Sequence, residues 1–477
     1  MISLNREKEL VKNTIILSVG KFLPSLSSFI TLPILTAYLT KTEYGTYDLI
    51  STLIMLVIPI ATLQIQSAAF RFLIECRGNK GVSSSIISNI FIVTIPITLI
   101  ASVIIQFFFA DFNFLIRLFI SIYFFLDTIQ STLGQIARGL GDNKAFSVSS
   151  IIVSIIYMIG IVVGVGVSRA GLLGVMCALV IKQLVGVLYL IKKIRLFTYI
   201  SFKLMSVQQI RELLAYSWPM VPNNLSSWIL KLSDRLVISG FMGVEANAIY
   251  AAANKIPNVL SIAQSIMVMA WQENASMAAV DTDADEYYSK MLDRIFCLMF
   301  GCTALLIAAT PFLFWLLIRG DYAEAYYQMP ILILAMFFFA MSSYFGGIYI
   351  AHMKTVNVGI STIIAAAINL VINLSCINSI GIWAASLSTL IAYIYLYFYR
   401  MFNCKKFQKI QVKYFKQFVM ILILIVLLLL CFMQNLILNI INIVVSIILF
   451  WLFNQELVQQ MINFIAVKIF KKERKKK

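Results

Sequence analysis

Residues 144–181 read KAFSVSSIIVSIIYMIGIVVGVGVSRAGLLGVMCALVI. From Ala145 to Ser168 the stretch carries no charged side chain, and a helix needs about 20 apolar residues to cross a bilayer. Arg169 and Gly171 then mark a turn, and a second apolar run follows. The stretch therefore predicts two membrane helices joined by a short loop. The same layout returns, without gaps and at an offset of 210 residues, in 354–391: KTVNVGISTIIAAAINLVINLSCINSIGIWAASLSTLI. Lys144 meets Lys354, Val148 meets Val358, Gly171 meets Gly381 and Ile181 meets Ile391.

The whole chain has the same character. Of its 477 residues, 61% are hydrophobic and 12% are charged, and the mean hydropathy is +0.91. Soluble domains carry about 45–50% apolar and about 25% charged residues, so a soluble enzyme, a nucleic-acid-binding domain and a disordered protein are excluded. The continuous apolar runs also exclude an outer-membrane barrel, whose strands alternate apolar and polar side chains. An all-α polytopic membrane protein remains.

Apolar runs between polar breaks predict about 14 transmembrane helices. They lie near 14–39, 46–70, 84–107, 113–136, 146–166, 172–191, 213–240, 244–270, 291–318, 328–350, 357–377, 381–399, 417–433 and 437–453. The net charge of +17, from 38 Lys and Arg against 21 Asp and Glu, follows the loops of one side. Lys192, Lys193, Arg195, Lys203 and Arg211 fall in one such segment, and Arg400, Lys405, Lys406, Lys409, Lys413 and Lys416 in another. The opposite side holds Lys41, Arg117, Arg169 and Arg319. Loop cations mark the cytoplasmic face, so both termini are expected in the cytoplasm. The external loops are short, the longest near 319–327. The tail KKERKKK is positioned to touch anionic headgroups. The first run is too long for the apolar core of a cleavable signal peptide.

The 210-residue offset predicts parallel repeats. An N-terminal six-helix lobe over 14–191 follows a cytoplasmic N-terminus over 1–13. A basic cytoplasmic linker over 192–212 leads to a C-terminal six-helix lobe over 213–402. Two additional helices over 417–453 and a basic tail over 454–477 complete the chain. Parallel halves suit a transporter with its site at the repeat interface. The nine prolines lie within or at the edges of spans, where a missing backbone donor kinks a helix.

A charge at the bilayer centre costs about 2.5–3.5 kcal/mol on insertion scales, so deep charges need a reason. They are Lys21, Asp127, Lys182, Lys231, Asp234, Arg235 and Lys255. Lys182 and Lys255 sit near the centres of their spans, and Lys21 lies close enough to an end to snorkel. Lys231, Asp234 and Arg235 share one helical face, where Asp234 is expected to pair with a neighbouring cation. Asp127 either neutralises a lysine or carries a coupling proton. The five cations exceed the two acids, and that balance suits an anionic substrate, since lysine and arginine bind phosphate. The seven cysteines show no metal or disulfide spacing. The single histidine, His352, is expected to be a solvated residue of a cytoplasmic turn. No metal or other cofactor is implied.

Three stretches carry a family resemblance. From Asn13 the chain reads NTIILSVGKFLPSLSSFITLPILTAYLTKTEYGTYDL, with the polar turn Thr42-Glu43-Tyr44-Gly45. The predicted fourth helix ends IARGLGDNKAF. The seventh and eighth read SWPMVPNNLSSWILKLSDRLVISGFMG and AIYAAANKIPNVL. In this order the chain resembles the O-antigen and polysaccharide flippases of the multidrug/oligosaccharidyl-lipid/polysaccharide exporter superfamily, over about residues 10–455. The resemblance implies a flippase that moves undecaprenyl-diphosphate-linked oligosaccharide across the bacterial cytoplasmic (inner) membrane by alternating access, with a polysaccharide polymerase and a chain-length regulator as possible partners. It implies cargo-binding cations in the first and eighth helices, where Lys21 and Lys255 stand. The alternative is an ion-coupled antiporter of drugs or metabolites on the same fold, for which acidic rather than basic interior residues are expected. A membrane enzyme would need a sizeable extramembrane loop bearing acid or base groups, and none is predicted. Among uncharged groups, Gln64, Tyr250, Asn369 and Asn373 are the selectivity candidates.

Overall fold

The structure is a computed structural model that describes residues 24, 26–279, 282–456 and 459. Lys21 and the tail KKERKKK lie outside the described residues. In chain order the helices are α1 (Leu26–Tyr38), α2 (Lys41–Ala61), α3 (Ile65–Glu75), α4 (Lys80–Phe108), α5 (Phe114–Gly139) and α6 (Asn143–Ile161). Helix α6 continues as a π-helical turn, Val162–Val167. Then come α7 (Gly171–Ile194), α8 (Val207–Ser217), α9 (Met220–Met242), α10 (Val244–Lys255) and α11 (Pro257–Ala278). The remainder are α12 (Ala284–Leu317), α13 (Ala323–Ala351), α14 (Thr355–Ile380), α15 (Trp383–Cys404), α16 (Tyr414–Phe432) and α17 (Leu436–Phe453). Among the described residues ten of these are long and apolar enough to cross a membrane, and no strand occurs. The chain is an all-α, multi-pass membrane protein. Helices are the open-ended solution in lipid because they satisfy their backbone groups internally.

Three expected spans are broken, each for a local reason. The run at 46–70 splits into α2 and α3 because Leu63 and Gln64 adopt left-handed φ values of 47° and 58°. Pro59 has already removed one backbone donor just upstream. The run at 213–240 splits at Trp218–Pro219, so its first turns belong to the short helix α8. The run at 244–270 splits at Ile256, with Pro257 opening α11 where its missing N–H is harmless. The stretch between the expected spans 244–270 and 291–318 is mostly helical, being the end of α11 and the start of α12.

The chain forms two compact units. The first comprises Met1–Ala252 with Leu317–Gly320, and the second Ala253–Leu316 with Asp321–Lys477. In the first, α7 packs against α5 and α6, α5 packs on α3 and α4, and α2 lies against α9. Small residues bring backbones together, the usual device where lipid is as apolar as leucine. A Cβ on Gly174 would lie 2.2 Å from the Gly164 carbonyl oxygen, and one on Gly45 would lie 1.8 Å from that of Val244. In the second unit α13 is the central helix, packed by α11, α14, α15 and α16. Trp271 of α11 stacks on Tyr344 at 4.6 Å and donates to its carbonyl at 2.8 Å. That approach passes over Gly347, where a Cβ would lie 2.6 Å from the indole.

The two copies of the repeated hairpin share their turn. Gly171 and Gly381 have φ values of 57° and 59°, in the region that favours glycine.

Candidate functional site: the charged interior

Helix α2 presents Gly45, Asp48 and Thr52 at i, i+3 and i+7, one face of a 3.6-residue helix. This face meets α9 and α10 within the first unit. Asp48 Oδ2 lies 3.1 Å from Arg235 Nε, with the side chains 6% and 13% exposed. Arg235 also donates to Thr52 Oγ1 at 3.3 Å. Trp228, two turns earlier on α9, donates to the Thr52 carbonyl at 3.2 Å. Asn247 of α10 donates to the Gly45 carbonyl at 3.1 Å and to Asp48 at 3.4 Å. The close approach at Gly45 is what lets α10 come near enough for those bonds.

Asp234 stands next to Arg235 on α9. It is 3% exposed and accepts a 2.7 Å hydrogen bond from the Tyr250 hydroxyl, while its neighbour Arg235 turns to Asp48 instead. Residues at i and i+1 point about 100° apart on a helix, so Asp234 and Arg235 face different neighbours. Lys231, one turn earlier, is exposed.

A second cluster joins α5, α6 and α7. The Lys182 ammonium lies 4.4 Å from the centre of the Tyr157 ring and 5.8 Å from that of Tyr123. Tyr157 shares a 2.9 Å hydroxyl contact with Tyr47 of α2. Asp127 accepts a hydrogen bond from Gln183 and lies within electrostatic range of Lys182.

Lys255 is the last residue of α10, in the second unit, directly before the break at Ile256. Of the uncharged candidates, Tyr250 is committed to Asp234. Gln64, in its left-handed turn, accepts from Ser67 at 3.1 Å. Asn369 donates to Ser388 and Thr389 at 3.3 and 3.1 Å. Asn373 is fully buried on the same helix.

One loop assignment is corrected. Arg400, counted above with the cytoplasmic cations, is 5% exposed inside the second unit. It donates to Ser361 Oγ at 3.0 Å, the Ser342 carbonyl at 3.2 Å, the Val358 carbonyl at 3.3 Å and Thr362 Oγ1 at 3.0 Å. Helix α15 simply runs past the expected span end at 399, and its last turns stay packed. His352 stands in the expected turn, half-buried, as the C-cap residue of α13. Its Nε2 is 2.7 Å from Gln408 Oε1, and its ring meets Phe407 edge-on at 5.3 Å.

Asp48 was missed because it stands near the start of its apolar run. The signal was present in the spacing Gly45, Asp48, Thr52. Asp48 adds a third acid to those inside the helical body, and Arg400 a further cation, each 5% exposed. Among the described residues, no group of three or more His, Cys, Asp or Glu is arranged to hold a metal ion.

The fold is shared with membrane transporters. A multidrug resistance MATE family transporter of the MOP superfamily, in an inward-facing conformation, superposes with a TM-score of 0.70 at 12% identity, covering 81% of this chain and 98% of that one. The lipid II flippase MurJ, in an inward closed conformation, gives 0.70 at 15% identity, covering 94% of this chain and 100% of the other. A MOP superfamily transporter from Pyrococcus furiosus, described as having a binding pocket of reversed polarity, gives 0.58 at 13%, covering 83% and 95%. No curated protein matches the sequence significantly. The family model described as polysaccharide biosynthesis protein matches residues 10–272, more than half of the chain, and the chain belongs to that family.

Proposed function

We propose that the chain is a flippase for undecaprenyl-diphosphate-linked oligosaccharide repeat units. It carries them across the bacterial cytoplasmic (inner) membrane by alternating access, for O-antigen or capsule synthesis. The observation that carries this reading is the basic balance of deep side chains in a member of a polysaccharide biosynthesis family. Lys182, Lys231, Arg235, Lys255 and Arg400 outnumber Asp48, Asp127 and Asp234. A diphosphate needs such cations, and lysine meets it as a point charge while arginine grips it in bidentate fashion.

Within this reading Lys231 and Lys255, with Lys21, contact the diphosphate. Lys182 sets the local potential beside Asp127. Arg235 is held by Asp48 until an incoming phosphate competes for its guanidinium. Arg400, caged by neutral oxygens, holds the second unit together. A polysaccharide polymerase and a chain-length regulator would receive the cargo outside.

An antiporter is the second reading, favoured by the equal similarity to a MATE transporter fold. Deleting the gene in its native host separates the two. A flippase predicts loss of surface polymer and accumulation of a complete, cytoplasm-facing lipid-linked repeat unit. Normal polymer and no accumulated lipid, in a host with no redundant flippase, would contradict it.

A further inference from the structure

At one end of the second unit, the start of α12, the start of α16 and the end of α17 enclose a pocket of about 620 Å³. Its polar wall carries four cations, Lys290, Arg294, Lys413 and Lys416, against two acids, Asp293 and Glu456. The pairing leaves the excess unmet. Lys413 and Lys416 share the single carboxylate of Asp293, at 3.0 and 2.7 Å. Arg294 holds Glu456 at 2.7 Å, but both side chains are more than half exposed, and such a pair is weak and easily exchanged. Lys290 is exposed and has no ion-pair partner among the described residues. Lys413 is also the N-cap of α16 and supplies no side-chain acceptor to that helix end, so the partial positive charge there adds to the field.

The opposite wall is apolar. Leu452 and Phe453 close it, and beside them Trp451 and Leu452 are about half exposed. Helix α17 is pinned in place, because Asn454 donates to the Cys297 carbonyl of α12 at 3.2 Å and Phe453 meets Phe300 edge-on at 5.4 Å. A cationic pocket with a fixed apolar flank matches an amphiphile: phosphate inward, acyl chains along the helix. Basic pockets between membrane helices near the cytoplasmic face bind anionic headgroups by this chemistry.

We propose that this pocket is a binding site for the phosphate headgroup of an anionic phospholipid of the cytoplasmic leaflet. The apolar flank decides between the two sources of phosphate, since free phosphate would make no use of it.

The test uses the full-length protein in mixed micelles, with native mass spectrometry reading retained phosphatidylglycerol against phosphatidylcholine. The wild type is expected to retain phosphatidylglycerol preferentially. The double variant Lys290→Gln/Lys416→Gln should weaken that retention roughly tenfold or more, and Lys290→Arg should keep it. Thermal unfolding of each variant controls for folding. Lys290 has no ion-pair partner to lose among the described residues, so Lys290→Gln alone keeps the test valid if the double variant unfolds. Equal retention of the two lipids by the wild type, or unchanged retention in folded variants, would overturn the proposal. Displacement of the lipid by millimolar inorganic phosphate, with the same residue dependence, would overturn the assignment to a lipid and point to a soluble phosphate.

Discussion

Arg235 and Arg400 are both arginines set deep among apolar helices, and the protein holds them by opposite means. Arg235, in the first unit, faces a carboxylate at 3.1 Å. Arg400, in the second, gives its hydrogen bonds to two carbonyls and two hydroxyls. The first arrangement neutralises the charge. The second leaves it net positive and replaces water with fixed dipoles, which is tolerable only where every bond is made. The repeated hairpins differ in the same spirit. In α6–α7, glycines allow backbone contact: a Cβ on Gly160 would lie 2.7 Å from that of Ala178. At the matching register of α14–α15, Ser388 stands where Ala178 does, and Asn369 donates to it. An ion pair can be exchanged for a ligand, whereas a caged guanidinium and an amide clamp hold helices together. The contrast assigns responsiveness to the first arrangement and rigidity to the second.

Removing one partner from the first arrangement should break the contrast most severely. Arg235→Ala leaves a buried Asp48 without its cation and should cost about 3–5 kcal/mol. The double variant Asp48→Asn/Arg235→Gln should recover part of that loss. Thermal unfolding in detergent of the two singles and the double gives the coupling, and additive losses would remove the ion pair from the first unit. Next in size, Arg400→Met should cost about 3 kcal/mol by stranding its acceptors, while Arg400→Lys retains charge without the fork. A folded, fully stable Arg400→Met would mean that the cage is not a strut. Gly174→Ala should cost about 1–3 kcal/mol by overpacking, whereas the matching position of the second hairpin is already an alanine, Ala384. Equal stability of the variant and wild type would show that the first hairpin does not depend on backbone contact. The smallest effect is expected from Lys182→Met, about 0.5–1 kcal/mol from the lost aromatic contacts. No measurable loss would mean that the Tyr157 and Tyr123 contacts do not hold this lysine.

The fold was legible because lipid imposes a simple rule on sequence: long apolar runs, with cations in the loops. The hairpin turns at Gly171 and Gly381 were legible because few residues other than glycine adopt their φ. The breaks at Leu63–Gln64 and Trp218–Pro219 were not, since hydropathy does not sense backbone conformation. Arg400 was misread because an apolar run cannot reveal that the helix continues, packed, beyond its last apolar residue. Asp48 and Arg235 lie 187 positions apart in sequence, and only the packing of α2 on α9 identifies them as partners. The Tyr250 hydroxyl of α10 likewise reaches Asp234 of α9 only through the packing of the two helices.

The central claim, translocation of an anionic lipid-linked glycan, is tested most directly by reconstitution. Purified protein in liposomes would be given a fluorescent undecaprenyl-diphosphate oligosaccharide, and its leaflet exchange followed by quenching from one side. The wild type is predicted to accelerate crossing, and Lys231→Ala and Lys255→Ala to lose that acceleration while remaining folded. No acceleration over empty liposomes by folded wild-type protein, or undiminished crossing in both variants, would contradict it.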